Sequence, residues 1–157
     1  MQKSHPYQVV VSWSGARHGT TTSYTAYSRE FTISNKGKQD ILGSADKMFR
    51  GDPNLYNPED LFISTIASCH LLWYLHLCAE KSIHIMSYID EASGHLKINA
   101  DGSGQFNEIT LHPQVIIANK QHIELATQLH EQAHKKCFIA NSVNFPVACK
   151  PHVTAEN

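Results

Sequence analysis

The chain carries four cysteines, Cys69, Cys78, Cys137 and Cys149, and eleven histidines that cluster in the two stretches also holding cysteines. No two cysteines form a C-x-x-C pair, and four in 157 residues are too few for a disulfide scaffold. They read as free thiols of a reducing compartment. Such a thiol becomes a useful nucleophile when its surroundings favour the thiolate. One metal-binding pattern competes with thiol chemistry. The segment His130-Glu131-Gln132-Ala133-His134 is a literal H-E-x-x-H. On a helix His130, His134 and Cys137 fall at i, i+4 and i+7 along one stripe, so they could hold Zn²⁺ with Glu131 as general base. A pattern with three fixed positions is easily met by chance in a histidine-rich chain. No metal or organic cofactor is therefore expected, and a zinc hydrolase built on this segment is kept as an alternative.

These side chains need elements to position them. From His5 to Ile33 the sequence alternates and is rich in Val, Thr, Tyr and Ser, with Gly15 and Gly19 bracketing a turn, which predicts a β-hairpin. Asn35-Lys36-Gly37 starts a further turn, and Lys47 to Tyr56 reads as an irregular surface loop. Asn57 is a good N-cap, Pro58 suits the first helical position, and Glu59 and Asp60 place negative charge where the helix dipole favours it. The helix that starts there runs uncharged from Leu61 to Ala79, long enough to raise a transmembrane span. Ser64, Thr65, Ser68, His70 and His76 interrupt the run and no basic cluster flanks it, so it is expected to be a buried central helix.

Beyond Lys81 a period of two returns at Ile83 and Ile85, at Leu96 to Ile98 and from Phe106 to Ile117, with Gly94, Gly102 and Gly104 at the breaks; antiparallel strands are expected. A second helix is predicted from about Lys120 to Cys137, with Ile123, Ala126, Leu129, Ala133 and Cys137 on one stripe. Asn141 to Thr154 closes as an edge strand, because Pro146 and Pro151 cannot donate to a central ladder. The order is α+β, with no repeat or linker dividing residues 1–157 into more than one domain.

Composition narrows the function. With 41% hydrophobic and 17% charged residues the chain can bury a core. Thirteen basic against fourteen acidic side chains leave a net charge of -1, without the footprint of a nucleic-acid binder or a polybasic lipid anchor. Met1 to Ser12 has no apolar core of a signal peptide. The expectation is a cytoplasmic protein acting on small molecules or proteins, with neither nucleic acid nor membrane as partner.

Cys69 and Cys137 each end or lie near the end of an apolar helical stripe, and taken alone both could be buried small hydrophobes. Their context says more. Asn57-Pro58-Glu59-Asp60-Leu61, followed by Cys69 ten residues after Glu59, resembles the N-P-E-[ED]-L segment that opens the central helix of the OsmC/Ohr family, the osmotically inducible and organic-hydroperoxide-resistance proteins. The resemblance extends over the N-terminal hairpin, the middle strands and a second helix ending at a second cysteine. It implies an OsmC-like α+β fold with antiparallel strands, a long buried central helix, a second helix and an intertwined homodimer. It also implies a thiol peroxidase that reduces organic hydroperoxides, with Cys69 attacking, Cys137 resolving through a Cys69–Cys137 disulfide, a dithiol as reductant, and Glu59 and an arginine as supports. The chain departs from the family pattern where Phe138, rather than proline, follows Cys137, and where His70 follows Cys69. It reads as a divergent branch.

The chemistry sets its own requirements. A guanidinium can hold a thiolate on one side of its fork and a carboxylate on the other. Glu59 is the natural carboxylate, yet ten helical residues rise about 15 Å, so an arginine must span the gap or a second subunit must contribute. The three arginines are Arg17 in the glycine-bracketed turn, Arg29 on a strand face with Tyr27, Phe31 and Ile33, and Arg50 in the loop before the helix. Arg50 is chosen because its loop feeds the helix carrying Glu59. Cys78 lies about 13.5 Å along the helix from Cys69, too far to bridge, while Cys149 stays open. His70 sits about 100° around the helix from Cys69, which disfavours a direct dyad but leaves it a contact to substrate. Phe62, Leu72 and Trp73 can supply an apolar pocket. The alternative without turnover is a redox sensor or small-molecule binding module on the same scaffold.

Overall fold

A computed structural model describes residues 4–156; Met1 to Lys3, part of the segment read for a leader, and Asn157 lie outside the described residues. The chain divides into two compact units, Met1–Leu61 and Phe62–Asn157.

In the first unit, β1 (Val10–Trp13), β2 (Phe31–Ser34) and β3 (Ile41–Gly43) form an antiparallel sheet in that order. The predicted hairpin is therefore present, but its connection is longer than the sequence pattern suggests. Gly15–His18 is a short 3-10 helix, and residues 20–30 follow as turns and irregular chain. Arg29 accordingly lies before β2 and not on its face. Its guanidinium donates to the Tyr24 and Tyr27 carbonyls and lies 4.6 and 4.0 Å from the centroids of the same two rings. The alternation of Tyr and Ser there serves this cation–π cage, not a strand. A second short 3-10 helix, Lys47–Phe49, ends at Arg50, whose φ of 67° is left-handed. The next residue packs against the Ala45 carbonyl so closely that a Cβ on Gly51 would overlap it, and only glycine fits.

Helix α1 (Pro58–Glu80) begins where the capping signals place it. Asn57 Oδ1 accepts the Asp60 amide at 2.7 Å, satisfying one of the donors that a helix start leaves free. By length and composition α1 could cross a membrane. Its residues Ile66, His70, Tyr74, Leu77 and Cys78, at spacings of four, four, three and one, are instead buried. The opposite side is not covered in the single chain: Leu72 is 67% exposed. The helix expected to be buried on nearly all sides is thus buried along one stripe.

The rest of the second unit contains two three-stranded sheets. One has the order β4 (Ile85–Asp90), β7 (Pro113–Ile117), β9 (His152–Ala155), and the other β5 (Ser93–Ile98), β6 (Gly104–Leu111), β8 (Val147–Cys149). The β4/β7 and β5/β6 pairs are antiparallel as expected, whereas β8 and β9 add in parallel to β6 and β7. Pro151 breaks the closing strand in two, and each piece takes an edge. Helix α2 (Ile123–Lys136) follows a turn of 3-10 helix at Lys120–His122 and packs on β8 and β9.

Two cores result. Tyr74, Leu77 and Cys78 of α1 meet Ala126, Leu129 and Ala133 of α2 and Val115, Ile117 and Val153 of the first sheet. Ile66 meets Ile109 and Leu111 beneath a cluster of Phe62, Phe106 and Phe145. Phe62 therefore belongs to this second core, not to the pocket the sequence assigned it. It sits seven residues before Cys69, nearly two helical turns, which carries its side chain to the end of the helix above β6.

Candidate functional site: a cysteine pair beside an apolar cleft

The predicted stripe of α2 points Ala126, Leu129, Ala133 and Cys137 into the protein, and the helix ends at Cys137, whose amide donates to the His134 carbonyl at 3.2 Å. Cys137 is fully buried, and its sulfur accepts the Ala140 amide at 3.4 Å. Cys69, half-buried on α1, neighbours the same sulfur closely enough to interact with it. Burial first, then the interaction with Cys69, pushes the Cys137 thiol up to about 11. At neutral pH it is a protonated thiol.

Cys69 also lines a cleft of about 340 Å³ with Leu72, Trp73, His76 and Phe138. The indole of Trp73 stands edge-on to Phe138, with centroids 5.6 Å apart and planes at 84°, and the Lys136 ammonium lies 5.2 Å from the indole centroid. Phe138, 68% exposed, forms the outer lip. The site thus offers a thiol at the edge of an apolar, open groove, a shape suited to an alkyl or aryl group next to a reactive atom. Leu72 and Trp73 take the places the sequence gave them. Phe138 and His76 were missed, although Phe138 stood out as the residue replacing the family's proline.

Glu59 lies in the first turn of α1, and its Oε2 is buried with no hydrogen-bond partner among the described residues. Arg17 is engaged by Glu30 at 3.0 Å, and Arg29 by its tyrosines. Arg50 is exposed and, among the described residues, has no side-chain partner. Cys78 is buried in the first core, where desolvation raises its pKa.

His70 and the H-E-x-x-H segment are placed differently from the sequence reading. The 100° step from Cys69 turns His70 into the interior, where it is 1% exposed and far from any role as a wall of the Cys69 cleft. Its Nε2 lies 2.9 Å from His130 Nδ1, and Cys149 Sγ lies 3.6 and 4.0 Å from these two atoms. The proposed stripe of His130, His134 and Cys137 does not converge: His130 turns to His70, and Cys137 to Cys69. Burial is the first cause that holds His70 at about 4 and His130 at about 3, both neutral at pH 7, while burial and the neighbouring Asp90 raise Cys149 to about 12.

The family model for OsmC-like proteins matches residues 51–151. A comparison with curated proteins finds no match. Among solved structures, an OsmC-like protein of unknown function from Vibrio cholerae is 29% identical, with a TM-score of 0.82 over 95% of this chain and 100% of that one. An OsmC-like protein from Mycoplasma pneumoniae is 16% identical, with a TM-score of 0.71 over 99% of this chain and 100% of that one. An organic hydroperoxide resistance protein OsmC from Legionella pneumophila is 18% identical, with a TM-score of 0.66 over 96% of this chain and 99% of that one. At the lower identities the likeness is one of fold. The α+β architecture, the helix opening at Asn57-Pro58-Glu59 and the family match over residues 51–151 agree: the chain belongs to the OsmC-like protein family.

Proposed function

We propose that this protein is a cysteine-based thiol peroxidase that reduces organic hydroperoxides, acting as one OsmC-like domain in the cytoplasm. The observation that carries the reading is the contact between Cys69 and Cys137 at the edge of an apolar cleft. The fold shared with an organic hydroperoxide resistance protein agrees with it.

In the proposed cycle the Cys69 thiolate attacks one peroxide oxygen and the O–O bond breaks. The alkoxide leaves and takes a proton to become the alcohol, and Cys69 is left as sulfenic acid. Cys137 then attacks that sulfur, its proton and the departing hydroxide form water, and a Cys69–Cys137 disulfide results. An external dithiol reduces the disulfide by exchange, closing the cycle without metal or organic cofactor. The thiolate needs a cation, and that role is assigned to Arg50, with Glu59 as its carboxylate, on the sequence resemblance; among the described residues neither side chain yet makes that contact. Arg17 and Arg29 already have partners. A homodimer completes the proposal, supported by Leu72 on the outer side of α1, which the single chain leaves exposed.

Turnover of cumene hydroperoxide with dithiothreitol tests the activity. Sustained consumption in the wild type, abolished by Cys69→Ser, supports the peroxidase. A single stoichiometric oxidation without recycling would replace it with the sensor reading. For the supports, Arg50→Lys should restore part of the activity that Arg50→Ala loses, whereas an equal loss in both would point to the guanidinium fork. Full activity in Arg50→Ala would remove the assignment.

A further inference from the structure

The buried cluster that the thiol cycle leaves unused has a chemistry of its own. His70 Nε2, His130 Nδ1 and Cys149 Sγ lie within 4.8 Å of one another, contributed by α1, α2 and β8. We propose that these three residues bind a single transition-metal ion of the zinc class. The site is independent of the peroxidase reading and uses none of its residues.

Donor chemistry comes first. Two imidazole nitrogens and a thiolate form a set that suits Zn²⁺ and related ions, and it contains no carboxylate that would favour magnesium or calcium. Geometry agrees. A tetrahedral ion with bonds of about 2.0 Å to nitrogen and about 2.3 Å to sulfur holds its donors roughly 3.3 to 3.6 Å apart. The observed separations are 2.9, 3.6 and 4.0 Å, so each pair is within about 0.5 Å of that requirement. The two imidazole planes lie within 9° of parallel. Tyr74 stacks on His130 with centroids 3.8 Å apart and fixes that ring.

A second observation points the same way. Among the described residues, three buried imidazole nitrogens at or beside this cluster have no hydrogen-bond partner: His70 Nδ1, His130 Nε2 and His134 Nδ1. Buried polar groups are normally satisfied, so these ring nitrogens, opposite to the ones that converge, mark surroundings able to admit water or a further polar partner beside the site. Access is available. His130 and Cys149 line a cleft of about 320 Å³ together with Glu131 and His134, so a fourth position on the ion would face water or an exchangeable ligand. The H-E-x-x-H segment thus contributes His130 to a set that includes neither His134 nor Cys137.

Binding is tested on the metal-free full chain with Zn²⁺, and with Co²⁺ as a coloured probe. The Cys69→Ser/Cys137→Ser protein keeps Cys149 and removes the thiols of the cleft. It is expected to bind one Zn²⁺ per chain and to show the near-ultraviolet thiolate-to-cobalt band. Cys149→Ser should lose that band and bind at least a hundredfold more weakly. X-ray absorption on the zinc-loaded double variant should read one sulfur and two histidine nitrogens, and this holds even if Cys149→Ser does not fold. Binding without a sulfur ligand, a band that persists in Cys149→Ser, or no stoichiometric uptake would each overturn the proposal.

Discussion

The Cys69 thiol on α1 interacts with the sulfur of Cys137 at the end of α2, one thiol half-buried and lining a cleft, the other fully buried. The asymmetry divides the labour. The exposed sulfur can meet a substrate, while the buried one is held as a neutral thiol by a pKa near 11. In the proposed cycle its ionisation therefore limits the second step. The decay of the Cys69 sulfenate into disulfide should quicken about tenfold per pH unit from pH 7 toward pH 9, following the thiolate fraction of Cys137. Rapid-mixing fluorescence after one equivalent of peroxide measures it. A rate independent of pH would show that Cys137 is not the resolving thiol.

The same shift has a consequence for stability. Cys137 loses its proton at about 11 in the folded chain against 9.0 for the ordinary thiol, so between these values the folded state binds more protons than the unfolded one. The stabilisation is fully present below pH 9 and is lost as pH rises through 11. The urea midpoint of the reduced protein should fall from pH 8.5 to about 10.5, and Cys137→Ser should flatten that fall by up to one proton. An identical slope in both proteins would contradict the buried neutral thiol.

The apolar cleft should select substrates. Trp73→Ala removes the aromatic wall beside Cys69 and should lower kcat/KM for cumene hydroperoxide by about ten- to a hundredfold, the scale of one lost aromatic contact. With H₂O₂, which has no group to fill the groove, the loss should be smaller. Equal losses for both peroxides would assign Trp73 a structural role.

The start of α1 positions everything after it. Replacing the cap, Asn57→Ala, leaves the Asp60 amide without its acceptor and should cost about 1 kcal/mol in a denaturant titration. No change would mean that water satisfies that donor equally well.

Much of this was legible in the residues. The cap, the proline and the acids at 57–60 predict the start of α1 to the residue, because capping is local chemistry. The 126, 129, 133, 137 stripe predicts both α2 and the burial of Cys137. The cage around Arg29 was illegible, since Tyr and Ser alternation looks like a strand until the guanidinium is seen between two rings. So was the triad of His70, His130 and Cys149. Its members are 60 and 19 positions apart, and which way a histidine on an all-round apolar helix turns depends on the sheet beneath it. The parallel addition of β8 and β9 likewise follows from long connections, not from local periodicity.

The measurement that bears most directly on the central claim is peptide mapping by mass spectrometry after reduced protein meets one equivalent of cumene hydroperoxide. The proposal requires a loss of about 2 Da located in a Cys69–Cys137 cross-link, and a trappable Cys69 sulfenate in Cys137→Ser. An unaltered mass, or oxidation confined to Cys78 or Cys149, would contradict it.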